Sequence, residues 1–268
     1  MTRRRKLLIA ALACFALFLA ACGDDNSNND STSASTGTTE TTGTTAGTTG
    51  TTGETSAGPF PQGSDPVKLD PADFTNKVDN PYWPMPRGAR WQTNSADERV
   101  VVTVTDRKKT VAGIDAVVLR DTVKDPEGNL VEVTDDWYAQ DSKGNIWYLG
   151  EDTKEYENGK VSSTKGSWEH GVDGAYAGII IPADPKPGMK YRQEYYKGEA
   201  EDRAEVKSVT ATAKVPAGAF DNCLQTEDTT PLEPGTIELK YYAKNVGPVL
   251  RTNESGGGRE ALVRSSLK

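Results

Sequence analysis

From Arg99 onward the chain is cut into short runs by tight-turn sequences, and that punctuation limits its folds more than any other feature. RVVVTVTDR (Arg99–Arg107) and AVVLRDTV (Ala116–Val123) are β-branched or alternate apolar with polar residues, and similar runs recur as far as EALVRSSL. PEGN at Pro126–Asn129, SKG at Ser142–Gly144, NG at Asn158–Gly159, PAG at Pro216–Gly218 and EPG at Glu233–Gly235 separate them. Gly, Pro, Asn and Asp reverse a chain within a few residues, and connections that short join sequential antiparallel neighbours. No stretch keeps a sustained helical apolar period. The pattern predicts a mainly β fold, a single antiparallel meander of about a dozen strands with no substantial helix. A meander that long curls into a half-barrel or closes into a barrel, and either form has a concave inner face.

The segment before the strands, PVKLDPADFTNKVDNPYWPMPRGARWQ, is irregular. Pro81, Pro84 and Pro86 bar a helix there and push their predecessors to extended geometry. One short helical turn is expected near Ala72–Phe74. Tyr82, Trp83 and Met85 should plug or cover one end of the sheet.

Residues 1–21 read as a secretory signal. Arg3, Arg4, Arg5 and Lys6 are a basic n-region, and the apolar run from Leu7 to Ala21 is too short to serve as an anchor. Leu19-Ala20-Ala21-Cys22 resembles the bacterial lipobox, which implies cleavage before Cys22 and acylation of its thiol, enough for a stable anchor. Residues 22–65 are almost all Thr, Gly, Ser and acidic or amide residues, and cannot bury enough apolar surface to offset chain entropy. They are expected to form a disordered tether with an r.m.s. span of roughly 35 Å. Residues 66–268 form one β domain. Cys14 leaves with the signal and Cys22 carries lipid, so Cys223 has no intramolecular partner and is expected to be a small buried apolar residue. The chain has 31 basic and 39 acidic residues, a net charge of −8, and loss of the n-region leaves 27 against 39. That charge repels nucleic acid and anionic headgroups, so membrane association is expected through the lipid alone.

The strings DNPYWPMPRGARW, DWYAQDSKGNIWYLGED and YYAKNVGPV resemble those of a group of uncharacterised secreted bacterial β proteins, across most of residues 74–250. More loosely, a single meander ending in YYAKNVGPV resembles the lipoprotein-carrier superfamily of curved half-barrels. That resemblance implies a concave face able to hold acyl chains, although the helices that fill it in those carriers have no counterpart here.

Residues 135–152, DDWYAQDSKGNIWYLGED, concentrate two Trp and two Tyr. A type I turn over Asp141–Gly144 with Gly144 left-handed makes this a hairpin. Pairing outward from the turn sets Ala139 against Trp147, Tyr138 against Tyr148, Trp137 against Leu149 and Asp135 against Glu151. Alternation then puts Asp135, Trp137, Ala139, Trp147, Leu149 and Glu151 on one face, and Asp136, Tyr138, Gln140, Ile146 and Tyr148 on the other. Neither face is polar, so both want cover. The candidate acid pair Asp135 and Glu151 has three readings: a rim solvated or paired with an Arg such as Arg192, a cation or metal site, or acid–base catalysis on a sugar stacked on Trp137 and Trp147. Tyr195-Tyr196 and Tyr241-Tyr242 each send one ring to either side of a strand. EAEDRAE (Glu199–Glu205) reads as a solvated hairpin rim.

Other motifs fail. His170 is the only histidine, which excludes a His-rich metal site, and its place in GSWEHG is not a nucleophile elbow. No cofactor and no metal ligand set is expected. These features point to a membrane-anchored envelope lipoprotein. Its concave sheet would bind an apolar or sugar-like ligand, or a partner, through Trp137, Trp147, Tyr138, Tyr148, Tyr195 and Tyr242. The alternatives are a carboxylate hydrolase at Asp135 and Glu151, and a structural or interaction lipoprotein with a filled core.

Overall fold

The computed structural model describes residues 60–267, so the expected signal, Cys22 and most of the tether lie outside the described residues. Fifteen strands are present among the described residues. They are β1 (Arg90–Asn94), β2 (Arg99–Val111), β3 (Ile114–Lys124), β4 (Leu130–Gln140), β5 (Ile146–Glu157), β6 (Lys160–Ser163), β7 (Trp168–Glu169) and β8 (Tyr176–Ile181). There follow β9 (Lys190–Arg192), β10 (Glu194–Tyr195), β11 (Arg203–Val215), β12 (Gly218–Thr229), β13 (Glu238–Ala243), β14 (Gly247–Asn253) and β15 (Arg259–Ser265). All belong to one antiparallel sheet, in the order β10-β8-β5-β4-β3-β2-β1-β15-β14-β13-β12-β11-β9, with β6 and β7 also on β5. The sheet curls into a nearly closed barrel, as the turn pattern predicts. One single-turn helix, Pro71–Asp73, lies where a helical turn was expected, and the Asp70 carboxylate caps it by accepting from the Ala72 N–H at 3.0 Å.

The Pro-rich segment is the plug. Tyr82, Trp83 and Met85 are buried. The Trp83 ring lies 6.4 Å from Trp91, 5.3 Å from Tyr138 and 6.0 Å from Tyr242, contacts that reach strands on both halves of the barrel. Gln140 fixes the plug in place. Its Oε1 accepts from the Asp79 and Asn80 N–H groups at 2.9 and 2.7 Å, and its Nε2 donates to Asp79 Oδ1 at 2.8 Å. A second, outer cluster of Val111, Ile114, Val118, Trp137, Ala139 and Leu149 is covered by Leu69 and Phe74. Both faces of the β4–β5 hairpin are therefore covered, as its composition requires.

The two sheet edges, β9 and β10, are consecutive in the chain, separated only by Gln193. One continuous stretch thus leaves β11 and joins β8, and the barrel closes across it. Gly178 on β8 makes this possible. A Cβ there would sit 2.3 Å from the Arg192 carbonyl oxygen and 2.5 Å from the Gln193 carbonyl carbon. The segment Phe60–Asp65, expected to end the tether, instead lies against this seam. Pro61 O accepts from the Arg192 N–H at 2.8 Å, and the Arg192 guanidinium donates to Gly63 O at 2.9 Å, Asp65 O at 2.7 Å and Ala177 O at 2.7 Å. Composition alone could not mark those six residues as ordered, because carbonyl groups in any sequence can satisfy a buried arginine.

Gly178→Ala forces backbone against backbone at the seam. It is expected to cost about 3 kcal/mol and to lower Tm by on the order of 10 °C in a calorimetric melt. Gly258→Ala, whose Cβ would meet only the Asn253 side chain at 3.5 Å, should leave Tm nearly unchanged.

Candidate functional site

The hairpin forms with the expected turn. Gly144 has φ of 98°, the Asp141 N–H donates to Asn145 O at 3.0 Å, and the pairs Tyr138–Tyr148 and Ala139–Trp147 are present. The Asp141 carboxylate organises the loop, accepting from Lys143 N, Asn145 N, Asn145 Nδ2 and Trp147 Nε1 at 2.7–3.0 Å. Beyond Tyr138 the register departs from simple alternation. A bulge puts Trp137 opposite Gly150, Asp136 opposite Glu151 and Asp135 opposite Asp152. Gly150 carries the distortion at φ of 140°, and a Cβ on it would sit 2.3 Å from Trp168 O. An isolated Gly within a strand pattern is the signal that finds such a bulge in a sequence.

The bulge moves Glu151 to the opposite face from the one alternation assigns. The structure therefore does not bring Asp135 and Glu151 together. Asp135 binds Arg120 through two hydrogen bonds, 3.0 and 2.9 Å long, and pairs also with Arg107. Burial pushes its carboxyl up, but the two guanidiniums outweigh this and hold it below the ordinary carboxylate range. The expected Arg neighbour, Arg192, is at the seam instead. Glu151 meets Asp136. Both are buried, and the Tyr148 hydroxyl lies 2.7 Å from Asp136 Oδ1 and 2.7 Å from Glu151 Oε2. A phenol has one proton to donate, so the second contact needs a protonated carboxyl as its donor. The electrostatics agree. Burial, then the neighbouring acids, push Asp136 up to about 7 and Glu151 well above its ordinary value.

Glu194 extends this buried acidic line. Its Oε2 accepts from Trp168 Nε1 at 2.8 Å, its Oε1 is buried without a hydrogen-bond partner, and burial and Asp202 raise its pKa well above normal. Asp202, in the run expected to be a solvated rim, is only 6 % exposed. The fold turns it inward between β10 and β11, which local composition does not encode.

Where β7 leaves β5, an open cleft of about 310 Å³ is lined by Trp137, Trp168 and Tyr196, with Glu151, Asp152, Glu169 and Asp173 among them. The Lys109 ammonium lies 4.2 Å from the Trp137 ring centroid and 2.6 Å from Glu169 Oε2. The other expected ligand-facing rings go elsewhere. Tyr138 and Tyr148 stack on each other inside the barrel, with centroids 4.8 Å apart, and Tyr242 is buried beside Trp83. Trp147 packs edge-on against Phe74, and Tyr195 stacks on Tyr176. Trp168 and Tyr196, which the sequence reading did not single out as site residues, take their place in the cleft. Cys223 is fully buried and free, with burial pushing its thiol up to about 11. His170 is buried and accepts from the Ala177 N–H at 3.2 Å. Among the described residues no cluster of His, Cys, Asp and Glu is spaced to hold a metal ion.

No protein-family model matches the chain, and no curated protein sequence matches it. Two solved structures are similar in part. A protein from Bacteroides fragilis described as exported, with a YmcC-like fold, is 18 % identical, with a TM-score of 0.41, over 69 % of this chain and 98 % of its own. A protein from Parabacteroides distasonis described as a lipoprotein is 13 % identical, with a TM-score of 0.38, over 72 % of this chain and 100 % of its own.

The buried acids set the sign of the pH dependence. Burial is the first cause of the upward shift in Asp136, Glu151, Glu194 and Asp202, and Asp202 also titrates at about 7. In the unfolded chain they ionise near 4. Between there and about 7 the native state holds protons that the unfolded chain has released, so stability is fully present at the acid end and falls as pH rises. Urea unfolding is expected to show more stability at about pH 5 than at about pH 8, by at least the roughly 2.6 kcal/mol that a single carboxyl moved to about 7 contributes. Glu151→Gln should make that slope shallower, with Asp136, Glu194 and Asp202 still contributing, whereas Asp135→Asn should leave it in place.

Proposed function

We propose that this chain is an extracytoplasmic lipoprotein, anchored through lipid on Cys22, whose β-barrel binds a neutral sugar-like ligand in the cleft between β7 and Tyr196. The observation that carries this reading is the composition of the cleft wall: Trp168, Tyr196 and Trp137 stand beside Glu151, Asp152, Glu169 and Asp173. Aromatic rings suit the C–H faces of a sugar, and carboxyl groups suit its hydroxyls. A wholly apolar ligand would strip water from Asp152, Glu169 and Asp173 and satisfy none of them. An anionic ligand would meet three carboxylates against the two ammonium groups of Lys109 and Lys154. Glu151, buried beside the cleft, has its pKa raised by burial and by Glu194 and Asp136, which favours its neutral form.

Titration of the mature protein with neutral hexoses, N-acetylhexosamines and uronic acids tests this through tryptophan fluorescence. A neutral sugar is expected to give a saturable change and the uronic acids none. Tyr196→Ala should weaken that binding about tenfold, the size of an aromatic contact worth roughly 1.4 kcal/mol. The absence of a saturable response to any neutral sugar sinks the ligand assignment. The anchor is tested separately. Cys22→Ser should move the protein from the detergent phase to the aqueous phase on Triton X-114 partition.

A further inference from the structure

The chain carries a net charge of −8, yet the outer face of β15, β1, β2 and β3 is basic. Arg90, Arg99, Arg120, Lys124 and Arg264 are exposed there. Of these five cations, only Arg120 has a carboxylate partner among the described residues, Asp135 on β4. Between β1 and β15 this face holds an open pocket of about 180 Å³, lined by Arg90, Gln92, Arg264, Ser265 and Ser266. Ser266 lies opposite Arg90, its N–H donating to Arg90 O at 2.9 Å, and Arg264 lies opposite Gln92. The two arginines are thus diagonal neighbours, about 7–8 Å apart at the backbone, and both guanidiniums can reach one small ligand. The Ser266 hydroxyl accepts from the Arg90 N–H at 2.9 Å, and the Ser265 hydroxyl accepts from the Leu267 N–H at 3.0 Å. Each hydroxyl keeps its own proton to donate. The Gln92 carbonyl oxygen already faces an Arg264 N–H at 3.5 Å. The lining therefore offers two positive charges and several donors, and no acid.

We propose that this pocket is a second binding site, independent of the sugar cleft, and that it takes a dianionic phosphate group, either the free ion or a small phosphate monoester. A guanidinium presents a planar fork of N–H donors that matches two oxygens of a phosphate, and two such forks balance two negative charges. A carboxylate or a phosphodiester brings only one charge. A cation would meet two guanidiniums and no carboxylate. The volume admits a phosphoryl group with a short substituent and is too small for an extended ligand. Arg99 and Lys124 on the same face add positive potential, which draws an anion here against the overall charge of the chain.

Isothermal titration of the full-length protein tests this, at constant ionic strength and about pH 8, where a phosphate monoester is a dianion. Inorganic phosphate and glycerol 3-phosphate are the probes. Dimethyl phosphate, a diester with one charge, and acetate are the comparisons. Saturable binding of a probe is expected, and the tighter of the two names the source as free ion or ester. Dimethyl phosphate and acetate should bind at least about tenfold more weakly. Arg90→Gln and Arg264→Gln should each weaken phosphate binding about tenfold or more. Both side chains are exposed, so both variants should keep the parent Tm. Arg203→Gln, at an exposed arginine on β11, and Tyr196→Ala in the cleft should leave phosphate binding unchanged. No saturable response to either probe, equal binding of dimethyl phosphate or acetate, unchanged affinity in Arg90→Gln and Arg264→Gln, or an equal loss in Arg203→Gln or Tyr196→Ala each overturns the proposal.

Discussion

The barrel depends on a close passage of backbone against backbone at Gly178. A sheet of this length has two edges, each a row of unpaired peptide groups. Here the chain carries one edge directly into the other across Gln193, and the missing side chain at Gly178 lets the two approach. Arg192 then completes the seam, with its guanidinium hydrogen-bonded to backbone carbonyls. The carbonyls of Gly63, Asp65 and Ala177 replace water around it, and burial pulls its pKa down to about 10. A planar fork of donors can serve three carbonyls in fixed directions, which a lysine ammonium on a flexible stem does less well. The same residue therefore closes the barrel and fixes where the N-terminal segment leaves it.

Two residues beyond Arg192 the chain contributes Glu194 to a buried line of acids, and this line is expensive. Each carboxyl loses its hydration, and each raises the cost of ionising the next. Apolar side chains of similar volume would stabilise such positions as well or better. Packing alone thus gives no reason for Asp136, Glu151, Glu194 and Asp202 to face inward. Two of the four meet open space: Glu151 lines the cleft, and Asp202 lines a pocket of about 20 Å³ beside Asp228 and Lys240. Asp136 and Glu194 lie between them, closed off from solvent.

Local chemistry made much of the fold readable. Turn residues and period-two runs gave the antiparallel meander and its curvature. Pro81, Pro84 and Pro86 marked the segment that became the plug, and the composition of the hairpin correctly required cover on both faces. The acid pair was misread because parity was carried through Gly150 unchanged. One extra residue reverses every later assignment on a strand, so Glu151 joined Asp136 and left Asp135 to Arg107 and Arg120. Asp202 was misread for another reason. Its neighbours in EAEDRAE are charged, and only the long-range approach of β12 and β13 buries it.

Gly150 links these observations. Its bulge turns Glu151 inward, and its bare α-carbon lets β7 approach β5 closely, with Trp168 O where a side chain would stand. That close approach brings the Trp168 ring over Tyr148, 5.2 Å between centroids, and within reach of Glu194. It also leaves Trp137, opposite the glycine, free to lean across to the Lys109–Glu169 pair. The buried acid, the aromatic wall and the opening at the edge of β5 are thus not separate features. Each follows from one residue without a side chain, placed where the strand must both bulge and admit a neighbour.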